Sequence, residues 1–378
     1  MLIFLFWVLL ILGSYSYFIY PLVLKILQGK RATQVAENGG DTFSVSLIVT
    51  AYNEKDRIRE KIENVLELSY GKGELELIVA SDCSDDGTDD IVREYEDRGV
   101  RLVRAQERLG KENAQLTAIK AAKGDILVFS DTATKMNPDS IDALVSYFAD
   151  ESVGAISSED RFISKDGSVA GEGAYVKYEM WLRNQESQLA GLVGLSGSFF
   201  AARKEVCEDW DIHSPSDFNT ALNCASAGLR AVTAPDVLGY YQDLKDPAKE
   251  YARKVRTVIR GMTGLSRHAD VLNPGKFGLF AFQVWSHKLM RWLVPWFLIA
   301  LFIVNALVAS RGGIYTLAFL GQLAFYGLAI AAHFNASLRD IGPIKIIYFF
   351  VQVNVALFDA ACQFLSGKRM TTWKPSAR

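Results

Sequence analysis

The sequence is poor in the residues that build disulfide frameworks and metal clusters. Its 378 residues include only four cysteines and four histidines, all scattered. The cysteines show no CxxC spacing, so the sequence indicates neither a disulfide framework nor a structural zinc site. Lysine and arginine (41) nearly balance aspartate and glutamate (43), which leaves no basic excess that would favour nucleic acid. Neither GxxxxGK[ST] nor GxGxxG occurs, which argues against P-loop and dinucleotide-binding proteins.

Apolar residues, by contrast, are abundant. They make up 50% of the chain, and the mean hydropathy is +0.11. The run over residues 1–27 has no charge before Lys25, and it exceeds the roughly 20 apolar residues that span a bilayer. It has no basic start and no cleavage-site pattern, so we interpret it as a transmembrane anchor. Lys25, Lys30 and Arg31 follow, and the positive-inside bias predicts a cytoplasmic segment after them.

A second apolar region occupies the end of the chain. Residues 277–291 mix aromatic side chains with His287, Lys288 and Arg291, which predicts a helix lying in the membrane interface. Residues 292–366 predict three C-terminal transmembrane helices, and 367–378 form a basic tail. Alternating crossings would put that tail outside, against the charge bias, unless one segment lies flat or re-enters. The expected location is integral and multi-pass in a bacterial plasma membrane, with the domain between cytoplasmic.

That domain, residues 28–276, alternates strand and helix patterns after a polar linker at 31–42. Short β-branched runs predict strands at 45–50, 74–80, 100–105 and 125–130, separated by helical segments at 54–68, 87–97 and 111–123. Such alternation predicts βαβ units and a mainly parallel sheet, hence an α/β fold flanked by N- and C-terminal transmembrane helices.

Polar side chains follow the predicted strands directly. Tyr52 and Glu54 come after the first strand, Asp82 after the second and Asp131 after the fourth. Ligands of parallel sheets bind beyond the carboxyl ends of the strands. Carboxylates there can accept hydrogen bonds from a ribose or a base, and Asp131 could hold Mg²⁺ or Mn²⁺ across a diphosphate.

Four motifs in order carry a family resemblance. They are TAYNE (50–54), SDCSDDGTDD (81–90), LGKENAQLTAIKAAKGDILVFSD (109–131) and SDFNTALNCASAGLR (216–230). With these the chain resembles glycosyltransferase family 2, of the membrane-bound, polysaccharide-synthase-like kind with a Rossmann-like GT-A fold. The resemblance implies that Tyr52, Glu54 and Asp82 hold the nucleotide of a nucleotide-sugar and that Lys111 lies near it.

The same resemblance implies the chemistry. Asp131 matches the first acid of the family's DxD motif, and Asp217 matches the general base that deprotonates the acceptor hydroxyl. Members of this kind invert the anomeric centre, and a single displacement needs one base and a neutralised leaving diphosphate.

Two departures from the family pattern bear on the function. The DxD site reads Asp131-Thr132-Ala133, so the second acid is missing and we expect the divalent cation (Mn²⁺ or Mg²⁺) to bind weakly. The QxxRW signature of processive synthases is absent, and RKVRT (253–257) stands in its place. This second departure leaves single-sugar addition open beside polymer synthesis.

Further candidates for substrate binding come from local patterns. Arg253 and Arg256 share a helical face with Arg260, which could neutralise a diphosphate or meet lipid headgroups, or could be a solvated face. Trp181 could stack on an acceptor sugar or pack in the core. Ser196 and Gly197 could let the acceptor approach the backbone closely.

The sequence therefore predicts an inverting hexosyl- or N-acetylhexosaminyl-transferase. It would move a sugar from a nucleotide-sugar, expected to be UDP-linked, to a saccharide or lipid-linked acceptor in polysaccharide synthesis at the cytoplasmic face of the bilayer. Two alternatives stay open: a polyprenyl-phosphate glycosyltransferase that adds one sugar, and a catalytically silent subunit that binds nucleotide-sugar. The sequence names no donor sugar, linkage, protein partner, export channel or oligomeric state.

Overall fold

The computed structural model describes residues 1–28, 42–163, 174–242 and 247–370. The chain divides into two compact units. The helical unit comprises Met1–Val23, Asp246–Ile259 and Val284–Arg369, and the sheet unit comprises Leu24–Lys245, Arg260–Gln283 and Met370–Arg378. The predicted linker at 31–42 lies outside the described residues apart from its last residue, as does most of the predicted basic tail.

The chain begins with two helices joined by a π-helical turn. Helix α1 (Leu2–Ser14) is apolar on all sides, and α2 (Tyr20–Gln28) follows the turn Tyr15–Ile19. An all-round apolar helix is typical of a lipid-facing or fully buried segment. In the helical unit, Phe6 and Leu9 of α1 pack against Leu301 and Val304.

Strands and helices then alternate through the sheet unit, as expected. In chain order they are β1 (Val45–Ala51), α3 (Ile58–Leu66), β2 (Leu75–Ser81), α4 (Thr88–Arg93), β3 (Val100–Arg104), α5 (Lys111–Ala121), β4 (Ile126–Asp131), β5 (Lys135–Met136), α6 (Ser140–Ser146), β6 (Val153–Ile163), α7 (Ala174–Leu189), β7 (Phe199–Arg203), α8 (Ser216–Ser226) and β8 (Arg230–Gln242).

These strands form one sheet in the order β3-β2-β1-β4-β7-β6-β8-β5. The β3-β2-β1-β4 half is parallel, β7 runs antiparallel to β4 and β6, β6 and β8 are parallel, and β5 is antiparallel to β8. The predicted α/β class with a mainly parallel sheet is confirmed, and the antiparallel β7 makes the sheet mixed.

Two apolar clusters cover the two faces of this sheet. Side chains alternate along a strand, so Leu47 and Val49 of β1 join one cluster and Ile48 joins the other. The first cluster contains residues of α3, α4 and α6, and the second contains residues of α5 and α8. At about 25 cal/mol per Å² of buried apolar surface, these clusters provide the main stabilisation of the unit.

Two helices have different bounds from those that the sequence pattern predicts. Helix α3 begins at Ile58 instead of residue 54, because the backbone N–H of Glu54 donates to the Thr88 hydroxyl (2.9 Å) in a turn before the helix. Helix α4 ends at Arg93, and a short 3₁₀ turn at Glu96–Arg98 completes the predicted segment. A tertiary contact therefore shortens α3, and α4 is shorter than predicted because the segment ends in a 3₁₀ turn.

Five helices complete the described chain. They are α9 (Pro247–Arg267), α10 (Pro274–Gln283), α11 (Met290–Val308), α12 (Ile314–Phe334) and α13 (Gly342–Leu365). Gly278 interrupts α10 with a positive φ of 52°, a conformation that favours glycine. An interfacial position for residues 277–291 stays a prediction.

Within the described residues, four stretches are long and apolar enough to cross a membrane: Leu2–Leu27, Pro274–Arg311, Ile314–Phe334 and Gly342–Leu365. Asp359 within the last stretch has partners in the helical unit. It accepts hydrogen bonds from the Tyr251 hydroxyl (3.1 Å) and the Gln363 amide (2.8 Å). These bonds favour a packing role for this carboxylate over a catalytic one, since buried polar groups need such partners.

Candidate active site

The ends of β1, β2 and β4 bring the predicted ligand-binding residues to one edge of the sheet. Parallel register aligns Ala51 with Ser81 and Thr50 with Asp131. The backbone N–H of Asp82 then donates to the Ala51 carbonyl (3.0 Å). Tyr52, Asp82 and Asp131 therefore begin their loops side by side, as the strand pattern predicted.

Asp82 lies at the floor of this edge. The residue is fully buried, and its Oδ1 accepts a hydrogen bond from the backbone N–H of Gly110 (3.1 Å). Burial raises the pKa of Asp82, against that hydrogen bond and the nearby charge of Arg108. Among the described residues its Oδ2 has no hydrogen-bond partner. A buried acceptor without a partner is costly, so this oxygen is available to a ligand donor.

Tyr52 and Arg108 form a stacked pair beside Asp82. The Arg108 guanidinium lies 3.8 Å from the centre of the Tyr52 ring. Sequence reasoning missed Arg108, although a cation just before the Leu109-Gly110-Lys111 motif was a usable signal. Glu54, which was predicted to touch the nucleotide, is buried and forms an ion pair with Arg57 (2.7 Å).

Lys111 and Asp131 form an ion pair at the centre of the edge. Lys111 is the first residue of α5, and its Nζ donates to Asp131 Oδ1 (2.5 Å) and to the Gly197 carbonyl (2.9 Å). The lysine side chain is 9% exposed and the aspartate side chain 23%. Such shielding strengthens the pair relative to one in water. The lysine predicted to lie near the nucleotide thus contacts the predicted metal ligand directly.

Asp217 lies on the other side of Gly197. It is the second residue of α8, behind Pro215 at the cap position, so Asp217 is not the N-cap of this helix. A Cβ built on Gly197 would lie 3.5 Å from Asp217 Oδ2. Within the part of the chain that the structure describes, the half-buried carboxylate has no hydrogen-bond or ion-pair partner. It is free to accept a proton.

Ser196 lies in the same loop and bonds to a residue that sequence reasoning missed. Oδ1 of Asp160 on β6 accepts hydrogen bonds from the hydroxyls of Ser196 (2.7 Å) and Ser198 (2.5 Å). Burial raises the pKa of Asp160 despite these two bonds. Asp160 lies outside the four predicted strands, and nothing in the sequence indicates which loop it faces, so sequence reasoning did not single it out.

Lys61 is the third residue that sequence reasoning missed. It is 3% exposed, and its Nζ donates to the Ser130 hydroxyl (2.8 Å) and the Thr134 carbonyl (2.5 Å) on either side of Asp131. Burial lowers its pKa to about 7, and the charge of Asp131 opposes that shift. A lysine three residues after Ile58, on the apolar face of α3, was the signal in the sequence.

The remaining candidates are Trp181, Arg253 and Arg256. Trp181 on α7 is 41% exposed and its ring lies 6.2 Å from that of Tyr178, so core packing does not explain it. Arg253 and Arg256 belong to the part of α9 in the helical unit, where Arg253 pairs with Glu250 (2.7 Å). Their role as substrate ligands stays a prediction.

The third arginine of the α9 face has a partner in the sheet unit. Arg260 is 11% exposed and pairs with Glu112 (2.5 Å), which follows Lys111 in the first turn of α5. The charge of Arg260 is therefore already compensated by Glu112 within the sheet unit. The predicted arginine stripe is therefore divided between different partners.

Asp131 is the acidic residue at this edge that could bind a divalent cation. Its Oδ1 is bonded to Lys111, and residue 133 is an alanine. In the described ranges, no three His, Cys, Asp or Glu side chains are grouped so as to hold a metal. These residues fit a cation held jointly by Asp131 and diphosphate oxygens, because hard divalent ions take oxygen ligands and Mg²⁺ is often bound with substrate phosphates.

Comparison with known proteins agrees with this geometry. Residues 46–210 match the family model described as glycosyl transferase family 2. A poly-beta-1,6-N-acetyl-D-glucosamine synthase of Staphylococcus aureus (strain MSSA476) is 30% identical over 209 residues, which cover 53% of this chain and 49% of the relative. The chain thus spans about half the length of the curated relatives it matches.

A solved structure shares the fold over nearly the whole chain. The mannosyltransferase PcManGT from Pyrobaculum calidifontis, in complex with GDP-Man and Mn²⁺, superposes with a TM-score of 0.75. It is 24% identical and the match covers 98% of this chain and 100% of that one. The predicted GT-A fold is confirmed by this similarity.

Proposed function

We propose that the chain transfers a sugar from a nucleotide-sugar to an acceptor hydroxyl with inversion, since residues 46–210 match the model of glycosyl transferase family 2. The donor is UDP-linked, the sugar is a hexose or an N-acetylhexosamine, and the acceptor is a saccharide or a lipid-linked saccharide. The apolar helices that precede and follow the domain in the chain anchor the protein in the membrane, and transfer takes place at the cytoplasmic face. The relative from Staphylococcus aureus supports a polysaccharide product.

One observation carries this proposal: Gly197 has a cation on one side and, on the other, a carboxylate without a partner among the described residues. Lys111 Nζ bonds to the Gly197 carbonyl (2.9 Å), and Asp217 Oδ2 lies 3.5 Å from the position of a Cβ on Gly197. A displacement at an anomeric carbon needs these two charges on opposite sides of the reacting centre. The base attracts the proton of the nucleophile, and the cation stabilises the charge that develops on the leaving group.

In the proposed reaction, Asp217 accepts the proton of the acceptor hydroxyl as its oxygen attacks the anomeric carbon. The bond from that carbon to the diphosphate breaks, and its electron pair leaves with the nucleoside diphosphate. Lys111 compensates the charge that builds up on the departing oxygens. Asp82, Tyr52 and Arg108 hold the nucleotide, since the Asp82 Oδ2 atom can accept from a base or ribose donor.

Asp131 would hold the divalent cation together with the diphosphate. The cation would supply further positive charge to the leaving group. PcManGT was solved with Mn²⁺ and GDP-Man, which supports a site for these classes of ligand in this fold. Trp181 would stack on the acceptor, Ser196 would border it, and Arg253 and Arg256 would face headgroups or the diphosphate of a lipid carrier.

The experiment uses the full chain in bacterial lipid nanodiscs. It is incubated with a panel of radiolabelled nucleotide-sugars, Mn²⁺ and a lipid or oligosaccharide extract, and both nucleoside diphosphate release and labelled product are measured. We expect one donor to yield product, with Asp217→Asn nearly inactive. Binding of a donor without product from any acceptor would instead support the silent binding subunit.

A polyprenyl-phosphate glycosyltransferase is the second candidate. The segment 253–257 reads RKVRT in place of the QxxRW signature of processive synthases, which favours a single addition. Product sizing distinguishes the two functions. A ladder of growing saccharides supports polymer synthesis, and a single labelled lipid that is cleaved by mild acid supports the carrier-lipid reaction.

A further inference from the structure

Asp160 lies on β6, just beyond the residues of β6 that pair with β7. The β4-β7-β6 order places β7 between β4, which ends at Asp131, and β6, which carries Asp160. Because β7 is antiparallel to both neighbours, its start at Phe199 lies at the edge where β4 ends. The loop of residues 196–198 just before β7 therefore lies between Asp131 and Asp160.

One carboxylate oxygen of Asp160 binds both ends of that loop. Oδ1 accepts from the hydroxyls of Ser196 (2.7 Å) and Ser198 (2.5 Å), the two residues that flank Gly197. On the β4 side, the backbone N–H of Asp131 donates to the Ser198 carbonyl (2.9 Å). Each of these hydrogen bonds contributes to stability, so together they restrain both ends of the loop.

A second anchor fixes the other side of the loop. The backbone N–H of Ser196 donates to the Ser157 hydroxyl (2.8 Å), which also accepts from the Arg183 guanidinium (2.6 Å). Leu195 N donates to the Asp217 carbonyl (3.2 Å), which ties the loop to the first turn of α8. The position of Gly197 is thus determined from β6 on one side and α8 on the other.

Gly197 in turn separates the two groups that the proposed reaction requires. Its carbonyl accepts from Lys111 Nζ (2.9 Å), and Asp217 Oδ2 lies 3.5 Å from the site of its missing Cβ. Movement of the loop would move Lys111 and Asp217 relative to each other. In catalysis, a misplacement of about 1 Å can cost about 100-fold in rate.

We propose that Asp160 is a positioning residue that sets the distance between Lys111 and Asp217 by holding both serines around Gly197. The inference rests on the proposed function, because it takes Lys111 as the leaving-group cation and Asp217 as the base. Asp160 itself touches neither substrate. Its removal should slow the transfer step and leave donor binding, which depends on the edge around Asp82, nearly unchanged.

The test compares Asp160→Ala, Asp160→Asn and Glu159→Gln in the full chain. Asn keeps an oxygen that can accept from both serines, whereas Ala removes it. Glu159 neighbours Asp160 on β6 and pairs with Arg161 (3.1 Å), so its substitution removes a charge on the same strand without touching the loop. Donor affinity by titration, kcat, KM and the thermal unfolding midpoint are measured for each variant.

We expect kcat to fall about 10- to 100-fold in Asp160→Ala, with the donor KM and Kd within about threefold of the wild type. Asp160→Asn should recover kcat to within about fivefold, and Glu159→Gln should match the wild type. If Asp160 had only a structural role, its removal would not lower kcat while donor affinity stayed the same, and Asp160→Asn would not restore kcat. The effects of Asp160→Ala and a Ser196→Ala, Ser198→Ala double substitution should not add.

Asp160→Ala with wild-type kcat would overturn the inference, as would equal loss of kcat and donor affinity or failure of Asn to rescue. If Asp217→Asn is slow while Asp160→Ala is unaffected, the proposed function stands and this inference fails alone. If the wild type yields no product with any donor, or Asp217→Asn retains normal transfer, the proposed chemistry fails and the inference with it.

Discussion

Replacing Asp217 by asparagine is the most direct test of the chemistry. The two side chains have the same shape, and the Asp217 carboxylate has no hydrogen-bond or ion-pair partner in the described part of the chain that the change would break. The structural cost is therefore limited to the charge near the α8 N-terminus, which is worth about 0.3–1 kcal/mol. Because Pro215 holds the cap position, no capping bond is lost.

The catalytic cost is much larger. General-base catalysis contributes about 100- to 10,000-fold to a rate, so the transfer barrier should rise by about 3–5 kcal/mol. Donor affinity should stay within about threefold, since Asp217 lies across Gly197 from Lys111 and Asp131. Asp217→Asn should therefore raise the activation free energy of transfer by about 3–5 kcal/mol. It should lower the free energy of unfolding by at most about 1 kcal/mol.

The assay measures single-turnover transfer in nanodiscs and the thermal unfolding midpoint in the same preparation. Asp209→Asn is the matched control, since Asp209 is exposed and lies between β7 and α8. Asp217→Asn should fold, bind donor and transfer at least about 100-fold more slowly than this control. Transfer within about threefold of the wild type would refute the assignment of Asp217 as the base.

Three further predictions concern neighbouring groups. Burial lowers the pKa of Lys61 to about 7 from the ordinary value of 10.5. Between these two pH values the unfolded chain binds more protons than the folded one. The free energy of unfolding of the wild type should therefore rise with pH in that window, relative to the free energy of unfolding of Lys61→Met. Mn²⁺ should activate sugar transfer with a high half-saturating concentration. Ala133→Asp should lower that concentration, because it adds a carboxylate near Asp131. Glu112→Gln should destabilise the fold by about 3–5 kcal/mol, because it leaves the buried Arg260 charge unpaired.

Each of these has an outcome that contradicts it. Parallel pH profiles of unfolding for the wild type and Lys61→Met would mean that the lysine is not held neutral. Full transfer in excess chelator would remove the metal role of Asp131, and Glu60→Gln provides a surface control for the metal titration. A Glu112→Gln melting midpoint within about 2 °C of the wild type would contradict the buried pair.

The sequence determined the class of the fold and one edge of the site. Alternation of β-branched runs with helical segments predicts βαβ units, and parallel strands end at one edge, so the pattern alone predicts that Asp82 and Asp131 lie close together. The bounds of α3 could not be predicted, because the Glu54 backbone is bonded to Thr88, 34 residues away. Asp217 came from a motif resemblance, since a lone aspartate near a helix start has no pattern of its own.

Only the tertiary structure decided which charged groups meet. The contact of Asp160 with Ser196 depends on the insertion of antiparallel β7 between β4 and β6. The pairing of Lys111 with Asp131 joins the start of α5 to the end of β4. Periodicity in a sequence records which face of a strand is buried, because side chains alternate along it. It carries no information on which strand lies beside it, and strand order is what brings Asp160 to the Gly197 loop.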